Sequence, residues 1–189
     1  MTKSAQMRII GGKFRGRKIK RPRTDGVRPT KDRIREAVFN MIGPDVPGSE
    51  VLDLFAGSGS YGLEAISRGA SRAVFVEKDS ACSGVITENI DQLGAGEESE
   101  LINRDAERAL LRFNEENMRF DIVFCDPPFN AGMARNILIM INHYDILNPS
   151  GLLIIEHHLR EVLPDREGDV SLFKQRTYKD ISISIFLKK

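Results

Sequence analysis

The stretch Val-Leu-Asp-Leu-Phe-Ala-Gly-Ser-Gly-Ser-Tyr-Gly-Leu-Glu at residues 51–64 decides the fold of this 189-residue chain. It starts as an apolar run typical of a buried strand, passes through three glycines and continues in residues that favour a helix. Glycines allow a sharp turn and a close approach of backbone N–H groups to a ligand, and the N-terminus of the following helix attracts negative charge. The pattern therefore indicates a loop that binds a nucleotide-type cofactor.

Strands and helices alternate on the C-terminal side of this loop. Apolar runs predict six further strands, at residues 73–77, 101–102, 120–125, 152–156, 170–178 and 181–187. Strand–helix–strand repeats form parallel sheets, whereas the short joint Lys179-Asp180 makes the last two strands an antiparallel hairpin. We expect an α/β fold with a doubly wound, mostly parallel seven-stranded sheet that ends in this C-terminal hairpin.

The N-terminal segment has a charge opposite to that of the remaining chain. Residues 1–36 hold 13 Lys or Arg against three Asp or Glu, a net +10, which leaves −9 for the rest of a chain whose total is +1. Such a segment favours a polyanionic partner such as nucleic acid, and the alternative is a solubilising or disordered tail. A disordered tail needs no apolar residues, yet this one contains Ile9, Ile10, Phe14 and Ile19.

The segment is expected to fold as a small basic extension. Residues 8–19 predict two short strands joined by a glycine turn, and Thr30 suits the N-cap of a helix that follows. We therefore divide the chain into a nucleic-acid-binding extension at residues 1–43, made of hairpin and helix, and a second domain at residues 44–189.

Composition bounds the compartment and excludes several classes of protein. No apolar run approaches the roughly 20 residues that cross a membrane, and residues 1–6 have no apolar signal core. Cys82 and Cys125 lie far apart and outside any CxxC pattern, which indicates neither a disulfide framework nor a zinc site. We expect a cytoplasmic monomer without a metal or a membrane contact.

The glycine loop has a literal match to the dinucleotide fingerprint, and one residue argues against that reading. Gly57, Gly59 and Gly62 have the required spacing, and Glu77 ends the next strand. Asp53, however, opposes an approaching pyrophosphate and favours a cationic ligand. S-adenosylmethionine carries a sulfonium and an ammonium, so Asp53 suits its amino end and Glu77 its ribose. Both residues also have an alternative role without a ligand. Asp53 could simply form the turn at the end of its strand, and Glu77 could be an ordinary acidic residue of the surface.

The tetrad Asp126-Pro127-Pro128-Phe129 follows the strand at 120–125. Two prolines remove two backbone donors and hold the chain extended, so this segment accepts hydrogen bonds and donates few. An exocyclic amino group on a purine is a poor nucleophile, and the Asp126 carboxylate with the Pro127 carbonyl would orient its lone pair towards a methyl donor. Phe129 can stack on the base. The alternative is a strand-to-loop turn without chemical consequence.

These motifs together resemble a known class of enzyme. Asp-Leu-Phe-Ala-Gly-Ser-Gly at 53–59, Phe-Val-Glu-Lys-Asp at 75–79 and Asp-Pro-Pro-Phe at 126–129 resemble class I methyltransferases, which have a Rossmann-like fold and use S-adenosylmethionine. The resemblance implies that Asp105 contacts the adenine amino group. The cofactor-binding residues it implies are Asp53, Phe55, Ala56, Gly57, Ser58, Gly59, Glu77, Lys78, Asp105 and Ala106.

Further motifs are similar to one family within this class, the RsmD-type guanine-N2 methyltransferases of bacterial 16S ribosomal RNA. They occupy residues 7–12, 28–30, 35–40 and 63–70. The resemblance implies methylation of a guanine amino group in ribosomal RNA, in an assembled 30S particle, with Asp126, Pro127, Pro128 and Phe129 as catalytic residues. The RNA-binding residues expected are Arg8, Lys13, Arg15, Arg17, Lys18, Arg28, Thr30 and Arg33.

Other functions stay open from the sequence. An amino-group methyltransferase with another acceptor, DNA adenine N6 or a protein glutamine, has the same tetrad. A nicotinamide-dependent oxidoreductase and a non-catalytic RNA-binding module are the other candidates. Tyr61, in the position of a smaller residue, either crowds the cofactor loop or packs outside it, and Tyr178 in the C-terminal hairpin is a further site candidate.

Overall fold

The computed structural model describes residues 7–22, 32–128 and 132–189. One eight-stranded sheet runs through it in the order β3-β2-β1-β4-β5-β8-β7-β6. The strands are β1 Glu50–Asp53, β2 Arg72–Glu77, β3 Ser99–Asn103, β4 Phe120–Cys125, β5 Leu147–His158, β6 Arg166–Glu167, β7 Val170–Tyr178 and β8 Ile181–Lys188. The helices are α1 Asp32–Ile42, α2 Ser60–Ser67, α3 Ser80–Leu93, α4 Ala106–Glu115 and α5 Met133–His143.

The sheet is parallel from β3 to β5 and antiparallel beyond β5. Strands β1, β2 and β4 are buried along nearly their whole length, as expected for parallel strands that carry helices on both faces. This confirms the predicted doubly wound α/β fold with a C-terminal antiparallel hairpin. The two-residue strand β6 was not anticipated, because Arg166 and Glu167 have neither the length nor the apolar pattern of a strand.

Each face of the sheet has its own hydrophobic cluster. The first cluster lies under α1, α2 and α3, through residues such as Ile34, Leu63 and Ile86. The second lies under α4 and α5, through residues such as Leu110 and Ile137. Because side chains alternate along a strand, residues of β1 and β4 contribute to both clusters. The carboxyl ends of β1 to β4 are therefore held rigidly from two sides.

The basic segment at residues 7–22 reverses direction and pairs antiparallel, as expected of a hairpin, but forms little regular strand. An antiparallel bridge joins Arg8 and Lys18, with backbone hydrogen bonds from Ile9 N to the Arg17 carbonyl at 2.9 Å and from Ile19 N to the Met7 carbonyl at 3.0 Å. A 3₁₀ turn at Gly12–Phe14 lies between the two paired segments. Gly12 has a φ of 72°, and a Cβ there would meet the Ser67 carbonyl oxygen at 1.7 Å. The backbone of the turn packs directly on α2 at Gly12, where only glycine fits.

Residues 7–22, called the arm below, belong to the same core as the body. Met7, Ile9, Phe14 and Ile19 are buried in the first cluster. The Ile10 and Gly11 N–H groups each donate to the buried Glu64 carboxylate of α2 at 2.8 Å. The functional division of the chain at residue 43 stays a prediction.

A buried ion pair fixes α1 beside the arm. Arg35 is fully buried, its Nε lies 3.6 Å from Glu64 Oε2, and it donates to the Arg8 carbonyl at 2.5 Å.

Within the described ranges, every helix is too short or too polar to span a bilayer.

Candidate active site

A cavity of about 720 Å³ opens at the carboxyl ends of the parallel strands. Ligands of doubly wound sheets bind at this edge, where the strand order reverses, here between β1 and β4. The predicted site residues that line the cavity are Asp53, Phe55, Ala56, Gly57, Ser58, Glu77, Lys78, Asp105, Ala106, Asp126, Pro127 and Pro128. Gly59 does not line it, and Phe129 lies outside the described residues.

Two carboxylates hold the glycine loop by its N–H groups. Gly62 N donates to Asp53 Oδ2 at 3.0 Å, and Gly57 N donates to Glu77 Oε2 at 2.9 Å. Gly59 has a φ of 75° and is the N-cap of α2, so it shapes the turn instead of facing the cavity. The loop is therefore fixed in shape at the cavity's edge by the two acids that the sequence assigned to the cofactor.

Close packing explains the third glycine. A Cβ on Gly62 would lie 2.3 Å from the ring of Phe75, which is fully buried on β2. Glycine at this position lets α2 approach the sheet, as the third glycine of nucleotide-binding loops does. The start of α2 is thereby brought against the end of β1.

The cavity is strongly acidic at its centre. Asp53 is 3% exposed, and burial raises its pKa to about 7. The smaller contributions to this pKa are a lowering by the hydrogen bond from Gly62 and increases from the charges of Asp126 and Glu77. A cationic group would relieve this crowding of negative charge, whereas a pyrophosphate would increase it.

Asp105 serves as a helix cap as well as a cavity residue. It is the N-cap of α4 and accepts a hydrogen bond from Glu107 N at 3.0 Å. Asp79 caps α3 in the same way through Cys82 N at 2.9 Å, and this hydrogen bond lowers the pKa of Asp79. Asp105 thus caps α4 and also lines the cavity.

The proline segment begins where β4 ends. Asp126 is partly buried beside Asp53, Pro127 is buried and Pro128 is exposed. Cys125, just before them, is buried, and burial raises the pKa of its thiol well above the usual range. Asp126 and Pro127 consequently present oxygen acceptors to the cavity next to the space that a cationic cofactor would occupy.

The arm contributes to the cavity, which the sequence did not reveal. Met7, Arg21 and Pro22 line it, and the Ser58 hydroxyl lies 3.3 Å from the Met7 sulfur. The buried Asn89 of α3 ties both parts together. Its amide nitrogen donates to the Lys20 and Ser58 carbonyls, each at 3.0 Å, and its oxygen accepts from Lys20 N at 2.7 Å.

Helix α5 supplies an apolar wall through Met133, Ile137 and Met140. Its helical apolar spacing is equally typical of a core face, so no sequence signal separates these residues from ordinary packing.

The predicted RNA-binding residues fall into two groups. Lys13 pairs with Glu98 at 2.5 Å, which lowers the pKa of Glu98, and Arg17 donates to the Leu93 carbonyl at 2.9 Å. Those two side chains anchor the arm to the body. All six described residues of this set are exposed, and the side chains of Arg8, Arg15, Lys18 and Arg33 take no part in this anchoring; Arg28 and Thr30 lie outside the described residues.

The two tyrosines that the sequence singled out, Tyr61 and Tyr178, lie in different places. Tyr61 is 5% exposed, stacks on Phe124 with ring centroids 4.9 Å apart and lines the cavity. It therefore packs under the loop without crowding it. Tyr178 is partly buried against the first cluster, at the end of β7.

A doubly wound sheet with acidic residues at the ends of adjacent strands, and a proline tetrad after β4, defines a class I methyltransferase. The chain matches the family described as conserved hypothetical protein 95 over residues 7–187 and belongs to it. It is 34% identical to ribosomal RNA small subunit methyltransferase D of Escherichia coli K12, over 98% of this chain and 92% of that protein. The resemblance to RsmD-type enzymes is thereby confirmed.

Solved structures agree with this family. That of yhhF from Escherichia coli has a TM-score of 0.87 at 35% identity and covers 97% of this chain and 98% of that chain. SMU.776, a methyltransferase structure complexed with SAH, has a TM-score of 0.68 at 14% identity over 86% of this chain and 50% of that chain. The second likeness shows the fold alone.

Proposed function

We propose that the protein transfers a methyl group from S-adenosylmethionine to the exocyclic N2 of a guanine in 16S ribosomal RNA, within an assembled 30S particle. One observation carries the proposal: Asp126 and Pro127 line the same cavity as Asp53, Glu77 and Asp105. An amine acceptor site and a cofactor site are thus adjacent. Ribosomal RNA as the substrate is supported by the name of the Escherichia coli relative and implies a cytoplasmic location.

The cavity suits S-adenosylmethionine better than a dinucleotide. Asp53 would hold the ammonium group, Glu77 the ribose hydroxyls and Asp105 the adenine amino group, and the acidic centre favours the cofactor's positive charge. The volume of about 720 Å³ is in the usual range for small-molecule sites. When bound, this cofactor supplies an electrophilic methyl group on a sulfonium.

The acceptor chemistry belongs to Asp126 and Pro127. The Asp126 carboxylate and the Pro127 carbonyl accept the two hydrogens of the guanine N2 group, which orients the nitrogen lone pair towards the methyl carbon. The nitrogen would thereby face the methyl group that the bound cofactor supplies, and the proton that the amine releases would pass to Asp126 or to water. Phe129 would stack on the base. Alignment of the two reactants is the main contribution of this segment.

The arm and α1 would hold the surrounding RNA. Guanine N2 faces the minor groove and is engaged in pairing within a helix, so the enzyme must take an unpaired base or turn one out of its stack. The exposed basic side chains of Arg8, Arg15, Lys18 and Arg33 provide phosphate contacts near the cavity that the arm lines.

Transfer of tritiated methyl groups tests this function. Small-subunit particles, naked 16S RNA, duplex DNA and a release-factor protein are offered at matched concentrations, and the product nucleoside is analysed. We expect N2-methylguanosine, with particles as the best substrate. Asp126→Ala should lose at least about 10²-fold in rate and keep its affinity for S-adenosylhomocysteine. If the product is instead methylated adenine in DNA or methylated glutamine in the protein, guanine is not the acceptor.

A further inference from the structure

Glu156 of β5 lies beside Asp126 at the edge of the sheet. The parallel register pairs Phe124 with Ile154 and Cys125 with Ile155, so the next step places Asp126 next to Glu156. Neighbouring strands are about 4.8 Å apart. Glu156 is 4% exposed, and nothing in the cofactor assignment uses it.

Both carboxylates are on the same face of the sheet. Phe124 and Ile154 both belong to the first hydrophobic cluster, and side chains two residues apart on a strand share a face. Asp126 and Glu156 therefore continue these two rows beyond the apolar core. Two acceptors separated by one strand spacing can address adjacent donors on a single ring edge.

The Tyr61 hydroxyl completes the group. It lies on this same face, 95% of the side chain is buried, and within the described residues its oxygen has no hydrogen-bond partner. The Tyr61 ring stacks on Phe124, two residues before Asp126, with ring centroids 4.9 Å apart. Burial raises the pKa of Tyr61 well above its usual value, and the charges of Glu156 and Asp126 raise it further. A buried hydroxyl without a partner costs free energy that a ligand acceptor would recover.

We propose that Glu156 and Tyr61 read the Watson–Crick edge of the acceptor guanine beside Asp126, an inference that rests on the proposed function. Along this edge guanine presents N2–H, N1–H and O6, that is donor, donor, acceptor. Asp126 and Glu156 offer acceptors for the two donors, and the Tyr61 hydroxyl offers a donor for O6. A carboxylate has about four acceptor sites, so Glu156 keeps its contacts within the protein and still accepts N1–H.

This arrangement rejects adenine by a mismatch at one atom. Adenine N1 is an acceptor and would face the Glu156 carboxylate, another acceptor, in a buried place. Leaving buried polar groups unpaired costs more than pairing them contributes, so sites built on hydrogen bonds discriminate strongly. Glu156 is thus a specificity residue for guanine, and Asp126 alone would accept either amine.

Base analogues at the modified position test the inference with the parent protein. After the methylated nucleotide is mapped, 16S RNA is prepared with guanine, 2-aminopurine or 6-thioguanine there. 2-Aminopurine keeps the N2 amine and lacks N1–H and O6, whereas 6-thioguanine keeps N1–H and replaces O6. We expect kcat/KM to fall at least about 10²-fold with 2-aminopurine and about tenfold with 6-thioguanine. Equal rates on guanine and 2-aminopurine would overturn the inference.

Two variants separate base reading from a structural role. Glu156→Gln should reduce the preference for guanine over 2-aminopurine to less than about tenfold, because a glutamine amide can donate to an N1 acceptor. Tyr61→Phe should lower kcat/KM about tenfold for guanine. It should leave kcat/KM for 2-aminopurine unchanged, because that base has no O6. Glu97→Gln, exposed and distant in sequence from the site, is the matched control. If Glu156 and Tyr61 have a purely structural role, the variants should lower kcat/KM equally for guanine and for 2-aminopurine. That result would refute the assignment.

The outcomes distinguish this inference from the function beneath it. If the parent protein methylates no guanine in RNA, both the proposed function and the base recognition by Glu156 are refuted. If it methylates guanine and 2-aminopurine at the same rate, only the base recognition by Glu156 is refuted. If Glu156→Gln does not fold, as judged by its thermal transition and its affinity for S-adenosylhomocysteine, the analogue series on the parent decides the question by itself.

Discussion

The Gly62 amide donates to Asp53 Oδ2 at 3.0 Å, so the residue assigned to the cofactor's amino end also anchors the start of α2. A carboxylate with two oxygens can do both, one facing the loop and one facing the cavity. Since burial raises the pKa of Asp53 to about 7, its charge state changes near neutral pH. Cofactor binding and folding should both depend on this titration.

Cofactor affinity should therefore increase as the pH rises through 7. The ammonium group binds the ionised form of Asp53, and its positive charge lowers the pKa of this carboxyl, so binding releases a proton. We expect the affinity for S-adenosylhomocysteine to rise between pH 6 and 8 in the parent. In Asp53→Asn it should be weak and largely independent of pH over this range. Calorimetric titration in two buffers of different ionisation enthalpy measures both quantities, and a flat parent profile would contradict the assignment.

The same titration has the opposite effect on the stability of the ligand-free protein. The folded pKa of about 7 lies above the unfolded value of 3.8, so the folded state binds more protons between these two pH values. The stabilising contribution of the Asp53 proton is present below about pH 4 and is lost as the pH rises through 7. The free energy of unfolding of Asp53→Asn relative to the parent should thus increase from pH 4 to 7. Urea unfolding at several pH values measures it.

The sequence allowed the meeting of three acidic residues at one edge of the sheet to be predicted, because its signals are local. Strand, glycine loop and acid follow one another along the chain, and parallel strands bring their ends together regardless of other details. Asp53, Glu77 and Asp105 accordingly line one cavity. The antiparallel pairing of the basic segment was predicted from equally local signals, whereas the packing of its backbone on α2 is a tertiary contact that local alternation does not report.

Gly62 tests the close contact between α2 and β2. Gly62→Ala places a Cβ 2.3 Å from the buried Phe75 ring, and overpacking of this kind costs about 1–3 kcal/mol. Gly84→Ala is the matched control, because Gly84 lies inside α3 with nothing within 4 Å of its Cβ. There the same change should stabilise by about 0.5–1 kcal/mol. Thermal or urea unfolding measures the change in the free energy of unfolding for both variants. If Gly62→Ala also stabilises the protein, the Phe75 ring must move aside.

Asn89 should couple the arm to the cofactor loop. Its amide joins Lys20 and Ser58, so Asn89→Ala should loosen both and reduce the affinity for S-adenosylhomocysteine about tenfold or more. Gln92→Ala is the matched control, because Gln92 donates only to the Lys18 carbonyl of the arm at 3.0 Å. That variant should bind the cofactor like the parent. Equal loss in both would indicate a general effect on α3 instead of the Asn89 clamp.

Charge counting could not sort the basic residues of the arm. The four residues Lys13, Arg15, Arg17 and Lys18 carry the same charge and are all exposed. The side chains of Lys13 and Arg17 nevertheless contact the body. The buried Arg35 is a stronger case, since its helical position next to the apolar stripe gave no sign of the ion pair with Glu64. Such partners lie 29 to 85 residues apart, and only the folded chain identifies them.

The arm lines the cavity through Met7, Arg21 and Pro22, so its deletion would damage cofactor binding as well as RNA binding. Neutralising exposed charges is the sharper test. The triple variant Arg8→Gln, Arg15→Gln, Lys18→Gln should keep the parent's affinity for S-adenosylhomocysteine and bind 16S RNA more weakly. Each lost phosphate contact lowers the slope of log affinity against log salt by about 0.7 to 0.9, so the slope should fall by about 2.

The matched control neutralises three exposed basic residues elsewhere, Arg108 in α4, Arg176 in β7 and Lys189. Both triple variants lose the same net charge, so a general electrostatic effect would weaken RNA binding equally in the two. Contact through the arm predicts a clear loss of affinity and a smaller salt slope for the arm variant alone. Filter binding from about 50 to 200 mM salt measures the slopes. Equal slopes in the parent and the arm variant would rule out phosphate contact by Arg8, Arg15 and Lys18.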